Sequence, residues 1–325
     1  MINMLSKKDI KKILVIRNDK IGDLVISSGI FRALKRNFPG AKLTVVASNA
    51  NKEIIEKNEN IDKIITLEST PRSFSSLLKY IKLSKELRKE KFDIGLDLRG
   101  SFFNTLFLLY FGKVRYKIGF YEQVISRHFL DFAMKRDKRI HELDLIKKLA
   151  EKGLNLKLAR FYPEIQVSIK DKRAANKFIK KNRIGKFICI VPEASAENRQ
   201  WPLDNFDKVI KEINRENPSY KILLMGTDKE KIDYLYKRNT LCLPIIKANL
   251  RLVYLLFKKS DLVIALDGGA THLAWAANAN LISIMAKGLL IEHIRPLGRN
   301  SAIIVGDINK IDVGKVIRLK RKMLR

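Results

Sequence analysis

Cysteine is scarce in this chain of 325 residues: only Cys189 and Cys242 occur, and both lie in apolar runs. Two thiols placed in this way act as small core residues, and their low number excludes a disulfide framework and indicates a reducing compartment. The four histidines are scattered, so no Cys/His cluster has the spacing of a metal site. We therefore expect no structural metal.

Long apolar runs are also missing. The N-terminal region has a continuous apolar run only at residues 13–16, which is too short for the core of a signal peptide. The most apolar segment, residues 102–111, is interrupted by Asn104, whereas a helix that spans a bilayer needs about 20 apolar residues. These absences predict a soluble protein.

Two nucleotide-binding motifs are absent. No GxGxxG follows the first predicted strand, and no GxxxxGK[ST] occurs anywhere. The first absence argues against a dinucleotide site at that position, and the second excludes a P-loop.

Acidic residues are in deficit, since 34 Asp and Glu oppose 65 Lys and Arg and leave a net charge of +31. Nucleic acid, anionic lipid and an anionic substrate are all compatible with this balance. The excess is spread over both halves of the chain, with no basic arm and no nucleic-acid-binding motif. Charge alone therefore does not identify the partner.

Apolar runs and helical patterns alternate from the beginning of the chain. Residues 11–17 read as a buried strand, a helix is predicted to start at Asp23 and run to Pro39-Gly40, and residues 42–47 form the next strand. This βαβ order predicts a doubly wound parallel sheet. Because 325 residues are many for one core and the periodicity fades around Pro163, we predict two Rossmann-like domains, residues 1–165 and 166–325.

The remaining first-half patterns predict strands, a helix before Gly153 as the C′ glycine, and a basic segment at residues 113–139. We interpret that segment mainly as a solvated loop, although a bulky anionic acceptor could bind there.

The tail from residue 315 reads as a basic helix that packs back across the domains or touches lipid headgroups. The predicted strands are 63–67, 94–98, 117–120, 187–191, 221–225, 262–266 and 281–285, and the predicted helices are 75–90, 105–110, 141–152, 171–182, 203–214 and 273–279.

One turn carries the strongest chemical signal. Asp267, Gly268 and Gly269 follow a buried strand and lead into a helix with Thr271 and His272 at its start. Adjacent glycines allow close approach of a ligand, and the free N–H groups of a helix start suit a phosphate or diphosphate. An equally plausible interpretation is a tight connection in which Asp267 caps the helix.

Several segments in order resemble glycosyltransferase family 9, the ADP-heptose:lipopolysaccharide heptosyltransferases. The matching segments are KILVIRNDKIGD at 12–23, DLRGS at 97–101, KIGF at 117–120, His141-Glu142, residues 192–202 ending in Arg-Gln-Trp-Pro, residues 226–230 and residues 267–272.

This resemblance implies the GT-B fold, with two Rossmann-like domains facing across a cleft: an N-terminal acceptor-binding domain and a C-terminal nucleotide-sugar-binding domain. It implies an inverting transfer of a sugar, heptose from ADP-heptose, to an anionic lipopolysaccharide core acceptor. It implies no cofactor and no metal, and the chain has no Asp-x-Asp motif. The expected location is cytoplasmic, in peripheral contact with the inner membrane, without nucleic acid.

The resemblance also assigns roles residue by residue. Asp23 matches the catalytic base, although an ordinary N-cap is the simpler interpretation of this residue alone. Arg199 matches a phosphate-contacting lysine, and Asp228 or Glu230 matches the acid that binds ribose. The other implied donor-binding residues are Ser195, Asp267, Gly268, Gly269, Thr271 and His272.

Two positions depart from the family pattern. Glu193 brings a negative charge toward the expected diphosphate and would need Arg199 or a lysine to neutralise it, and Gly268 replaces a hydroxyl residue, for which Thr271 could compensate. Two alternative functions stay open at this point. One is a basic nucleic-acid-binding α/β protein, and the other is a nucleotide-sugar epimerase of similar architecture, because fold does not determine the reaction.

Overall fold

The structure is a computed structural model that describes residues 9–194, 196–288 and 290–324. The chain divides into two compact units, Met1–Gln166 and Val167–Arg325. None of the helices in the described ranges combines the length and the apolar character needed to cross a membrane.

Six parallel strands form the sheet of the first unit, in the order β3-β2-β1-β4-β5-β6. The central strands are rich in Val, Ile and Leu and are buried on both faces, as expected for a parallel sheet covered by helices. The elements are β1 (Lys12–Ile16), α1 (Ile21–Ser27), α2 (Gly29–Asn37), β2 (Lys42–Ala47), β3 (Lys63–Thr66), α3 (Phe74–Glu90), β4 (Ile94–Asp97), a π-helix (Asn104–Phe111), β5 (Tyr116–Tyr121), α4 (Val124–Arg127), β6 (Phe132–Lys135) and α5 (Glu142–Leu154).

The second unit repeats this design, with the strand order β12-β11-β10-β7-β8-β9, all parallel. Its core includes the fully buried Trp201 and Phe206, whose rings meet edge to face. The elements are α6 (Ile169–Lys181), β7 (Phe187–Val191), α7 (Leu203–Glu216), β8 (Lys221–Gly226), α8 (Lys229–Arg238), β9 (Leu243–Ile246), α9 (Leu250–Lys259), β10 (Leu262–Leu266), α10 (Gly269–Ala276), β11 (Leu281–Ala286), α11 (Ile291–Ile294), β12 (Ser301–Gly306) and α12 (Val313–Met323).

Each sheet has one point at which the strand order reverses, and ligands of such folds bind where the strands end beside that point. In the first unit it lies between β1 and β4, where Ile16 pairs with Asp97. In the second unit it lies between β7 and β10, where Val191 pairs with Ala265. The predicted α/β class with two Rossmann-like sheets is therefore confirmed.

The helix predicted from Asp23 to residue 38 is wrong in two respects. It begins earlier, at Ile21, and it is broken at Ser28 into α1 and α2. The break accommodates a later segment, because the Ser28 hydroxyl accepts from the Glu164 amide and a Cβ on Gly29 would come within 2.4 Å of the Tyr162 carbonyl oxygen.

The interpretation of residues 113–139 as a loop is also wrong in part, since the segment contains α4 and the edge strand β6. Gly153 is not the residue after a helix, because α5 continues to Leu154 and Asn155 takes the left-handed conformation at its end. A Cβ on Gly153 would come within 2.9 Å of the Ile118 side chain and 3.0 Å of the Phe132 side chain. This glycine therefore lets α5 pack closely on β5 and β6.

Candidate functional site

Arg17, the first residue after β1, is fully buried and organises the chemistry of the first unit. Its guanidinium donates to the Leu98 carbonyl at the end of β4 and to Glu142 Oε1, the latter at 2.9 Å. It also lies 3.3 Å from Asp19 Oδ1 and 3.5 Å from Asp23 Oδ1. A single buried cation thus joins the two strand ends to three carboxylates.

Glu142, the first residue of α5, balances this buried charge. It is almost fully buried, and Arg136 Nη1 contacts both of its carboxylate oxygens at 2.7 Å. Arg136 also donates to the carbonyl groups of Leu98 and Arg99. Two guanidinium groups therefore share Glu142, as a buried carboxylate requires.

Asp23 is the third residue of α1 rather than its N-cap, which is Lys20. Its Oδ2 accepts from the Lys20 amide at 3.4 Å, and 34% of its side chain is exposed. The N-cap interpretation is wrong for this residue, whose carboxylate lines a pocket of the first unit.

Asp19 is a second carboxylate on the same pocket. Burial raises the pKa of Asp19 to about 7 against the attraction of Arg17, and the nearby charge of Asp23 adds to the rise.

The pocket beside these carboxylates has a volume of about 700 Å³. Four cationic side chains line it, together with the acids already described, two further acids and aromatic rings. The lining consists of Asn18, Asp19, Lys20, Asp23, Ser48, Ala50, Glu68, Ser69, Thr70, Arg72, Arg99, Gly100, Ser101, Phe102, Phe103, Glu122, Gln123 and Arg136.

Buried polar side chains hold the loops that line the pocket in place. Asp97 accepts from the amides of Arg99 and Gly100 and from the Thr105 hydroxyl, and burial raises its pKa. Gly100 has φ +75°, and a Cβ there would come within about 3 Å of the Phe120 backbone, so this turn requires glycine. Asn104, at the start of the π-helix, donates to Asn18 at 3.0 Å.

In the second unit, Arg199 and Asp267 come together although 68 residues separate them. Arg199 Nη1 donates to Asp267 Oδ2 at 2.8 Å, and the aspartate is almost fully buried. Asp267 does not cap α10, whose N-cap is Gly268 without a side-chain bond. The capping interpretation is therefore wrong, and the aspartate orients a guanidinium from the loop after β7.

The other residues of the Asp267 turn are arranged around the start of α10. Gly268 has extended backbone, and Gly269 opens the helix. The buried Thr271 hydroxyl donates to the Leu266 carbonyl at 2.8 Å, so it is already bonded within the turn. His272 is also buried, with its ring 6.5 Å from that of Trp275.

Glu193 bridges the loops after β7 and β8. Its carboxylate accepts from the Thr227 amide at 2.8 Å, the Thr227 hydroxyl at 3.0 Å and the Asp228 amide at 2.7 Å. Neutralisation by Arg199 or a lysine was expected, but hydrogen-bond donors before α8 satisfy this charge instead. A Cβ on Gly226 would lie 2.0 Å from Glu193 Oε1, so glycine makes room for the bridge.

Asp228 is the N-cap of α8 and accepts from the amides of Glu230 and Lys231. The Glu230 side chain is exposed. Ser195 lies outside the described residues. Gln200, which the sequence did not single out, donates to the carbonyls of Pro192 and Trp201 and so fixes the shape of this loop.

We also did not predict Arg17, Asp19 or Arg136 as site residues from the sequence. The signal for Arg17 was a charged residue directly after four apolar strand residues, and Asp19 stands in the same matched segment as Asp23. Arg136 had no comparable signal, because β6 before it was not predicted. Within the described ranges, no group of three or more His, Cys, Asp or Glu side chains is placed to hold a metal ion.

A family model described as "Glycosyltransferase family 9 (heptosyltransferase)" matches residues 80–322, well over half of the chain. The chain belongs to glycosyltransferase family 9. It is therefore a glycosyltransferase of a family of heptosyltransferases, as the resemblance predicted, and the two alternatives of a nucleic-acid-binding protein and an epimerase are set aside.

Individual relatives within family 9 agree with this. The lipopolysaccharide core heptosyltransferase OpsX of Haemophilus influenzae is 24% identical over 285 residues, which cover 85% of this chain and 79% of that protein. A family 9 glycosyl transferase from Veillonella parvula superposes with a TM-score of 0.84 at 17% identity, over 98% of each chain.

A third comparison concerns a heptosyltransferase solved with a donor analogue. The E. coli heptosyltransferase WaaC with ADP-2-deoxy-2-fluoro heptose has a TM-score of 0.77 at 14% identity, over 96% of this chain and 99% of that one. Likeness at this level of identity establishes the fold, and this family 9 chain accordingly has the GT-B fold predicted for it.

Proposed function

We propose that this family 9 chain transfers heptose from ADP-heptose to a sugar hydroxyl of a lipopolysaccharide core, with inversion at the anomeric carbon and without a metal ion. The acceptor binds in the pocket of the first unit, and the donor binds at the turns of the second. Support for the donor comes from WaaC of E. coli, which was solved with an ADP-heptose analogue. Support for the acceptor comes from OpsX, named as a core heptosyltransferase.

The observation that carries the proposal is the position of Asp23. Its carboxylate is accessible from a pocket large enough for sugars, while Arg17 holds it from the buried side at 3.5 Å. An inverting transfer needs a base that removes the proton of the attacking hydroxyl. Asp23 takes this proton as the hydroxyl oxygen forms its bond to the anomeric carbon and the bond from that carbon to the diphosphate breaks.

The bond that breaks leaves its electron pair and a negative charge on the diphosphate. Arg199, oriented by Asp267, supplies a guanidinium that can bind phosphate oxygens through two N–H groups. The glycine pair at the start of α10 offers backbone N–H groups without a side chain in the way. These fixed positive groups would stabilise the leaving group in the absence of a metal. Asp228 and Glu230 remain the candidate partners of the ribose hydroxyls.

The four cationic side chains of the first-unit pocket suit an acceptor that carries carboxylate or phosphate groups. The proposed acceptor, a lipopolysaccharide core, is anchored in a membrane through its lipid. We therefore propose that the chain works at the cytoplasmic face of the inner membrane and contacts it peripherally. Nothing in this assignment requires a nucleic acid.

Donor binding tests the second-unit site directly. We expect ADP-heptose to raise the midpoint of thermal unfolding more than UDP-, GDP- or CDP-linked sugars, because a ligand that binds only the folded state stabilises it. Arg199→Ala removes hydrogen bonds to a charged group and should weaken ADP-heptose binding by about 10- to 100-fold, the equivalent of roughly 1.5–3 kcal/mol.

Arg215→Ala is the matched control, because this arginine pairs with Glu212 on α7. Arg199→Lys keeps a cation beside the buried Asp267 and guards against a general loss of folding. Donor affinity that is equal in wild type and in Arg199→Ala would remove Arg199 from the donor site.

A further inference from the structure

One face of α3 is apolar at its beginning and basic at its end. Phe74, Leu78 and Ile81 are followed by Lys85 and Arg88, with spacings of four, three, four and three residues that place all five on one side of the helix. Phe74 is 75% exposed and Leu78 is 47% exposed. The core of the unit is contacted by the opposite side, through Tyr80, Leu83 and Leu87.

The π-helix adds aromatic side chains beside this face. Tyr110 and Phe111 at its end are about half exposed, with ring centroids 5.5 Å apart. Between α3 and the π-helix lies a groove of about 650 Å³, which Ile81, Phe107 and both exposed rings line. Exposed large apolar groups gathered in one place are characteristic of interaction surfaces.

Cations surround the groove. Lys85, Arg88, Lys113 and Lys117 contribute to its lining, and no carboxylate does so among the described residues. Lys117 pairs with Asp131 at 2.7 Å. Across the described part of the chain, the other three form no ion pair, although several other surface cations do. The groove therefore combines apolar surface with uncompensated positive charge.

This combination favours an anionic lipid surface over a protein partner. Aromatic rings at the level of lipid headgroups, with long basic side chains reaching the phosphates, are the usual features of a protein surface that lies on a membrane. Each Lys or Arg close to an anionic leaflet adds attraction. The position also suits a membrane-anchored acceptor, because the groove adjoins the proposed acceptor pocket. Phe103 lines that pocket and Phe107 lines the groove, and their rings stack with centroids 6.3 Å apart.

We propose that Phe74, Leu78, Tyr110 and Phe111, with Lys85, Arg88 and Lys113, form the surface by which the first unit docks on an anionic phospholipid bilayer. We call it the α3 docking surface. The inference rests on the proposed function, because it assigns a place to the membrane contact that a lipid-linked acceptor requires.

The test is sedimentation of the full chain with vesicles of phosphatidylcholine, with or without added phosphatidylglycerol. The triple variant Lys85→Ser, Arg88→Ser, Lys113→Ser should bind the anionic vesicles about a hundredfold more weakly than wild type, given the usual contribution of a cation near such a surface. The control, Lys170→Ser, Lys172→Ser, Lys177→Ser on α6, removes the same charge from exposed lysines elsewhere and should change binding less than about threefold.

A second pair of variants tests the apolar part. Binding of wild type should persist in part at high salt, where charge attraction is screened, whereas Phe74→Ser with Phe111→Ser should lose it. The control, Tyr236→Ser with Leu241→Ser, changes two exposed apolar residues of the second unit and should keep the binding that persists at high salt. Thermal unfolding establishes that each variant is folded.

Equal losses in the two triple charge variants would show attraction by net charge alone and would overturn the α3 docking surface. Unchanged binding in the aromatic variant at high salt would overturn it as well, and the surface would then be left for a protein partner. Transfer to a soluble acceptor without acyl chains should be normal in all these variants. If wild type itself fails to transfer, the proposed function fails while the vesicle result stands.

Discussion

At the scale of single residues, Arg17 has the largest influence on the first-unit pocket. It is buried with Glu142, and breaking such a pair by removing one partner costs about 3–5 kcal/mol, because the remaining charge has no compensation. Arg17 thus anchors Asp23 and Asp19 to the rigid ends of β1 and β4. Residues held in this way can keep a catalytic carboxylate in position without a bound ligand.

Single residues were also where prediction from sequence was weakest. Asp23 could be singled out because a family motif surrounds it, whereas Arg136 and Glu142 become partners only when β6 and α5 bring them together. Glu193 was singled out for its charge, but its partners include backbone amides 34 and 35 residues away. No local sequence pattern predicts such a contact.

The Glu193 bridge makes a testable prediction. Gly226→Ala should push the Glu193 carboxylate out of its three hydrogen bonds, and Glu193→Ala should remove them, each at a cost of about 1–2 kcal/mol in the free energy of unfolding. Since both changes break the same contact, the double variant should cost clearly less than the sum of the two.

Urea unfolding of the wild type, the two single variants and the double variant measures this coupling. Glu197→Ala, in the same loop with an exposed side chain, replaces Glu193→Ala in the control cycle and should add to Gly226→Ala. Strict additivity of Glu193→Ala and Gly226→Ala would show that the bridge does not contribute to stability.

At the scale of elements, the strands buried on both faces were predicted most closely, although the partly exposed edge strand β3 was predicted as well. The central strands β1, β7 and β10 are continuous apolar runs and were predicted almost to the residue. The edge strand β6 is only half buried, and β9 contains Pro244, so neither shows a clear pattern. The helix break at Ser28 could not be predicted either, because its cause is the distant segment at Tyr162.

The C-terminal helix shows a related lesson. The tail from residue 315 was predicted as a basic helix that packs back across the domains or touches lipid headgroups. Lys320 of α12 is buried and donates to Glu216 of α7 and to Asn217 directly after it. The helix lies on α7 within the second unit. A basic composition therefore described only part of this element.

The packing of α5 on the sheet makes a second prediction. Alanine is favoured over glycine by about 1 kcal/mol in a helix, yet Gly153→Ala places a methyl group against Ile118 and Phe132. Overpacking of this kind costs about 1–3 kcal/mol, so we expect a net loss of about 1 kcal/mol in the free energy of unfolding.

Gly40→Ala is the matched control, because a Cβ there meets no atom within 4 Å, and its effect should be within about 0.5 kcal/mol. The denaturant midpoints of Gly153→Ala and Gly40→Ala, each compared with wild type, test this prediction. A stabilising Gly153→Ala would mean that α5 and β6 are not in close contact.

At the scale of the whole molecule, the fold was the most predictable property. Two runs of alternating strands and helices specify two doubly wound sheets, and the motifs fall where the strand order reverses in each. Arg17 and Asp97 flank that point in the first unit, and the loops with Glu193 and Asp267 flank it in the second. The position of both candidate sites thus follows from the strand order, while their detailed geometry depends on buried partners.

The central claim is that Asp23 takes the proton of the acceptor hydroxyl. It is tested most directly by measuring the rate of heptose transfer and the affinity for ADP-heptose in Asp23→Asn, beside Asp144→Asn, an exposed acid on α5, as the control. We predict a transfer rate lower by about 10²- to 10⁴-fold with unchanged donor affinity, and a normal control. A rate within about threefold of wild type, or a loss of rate matched by a loss of donor affinity, would contradict this role.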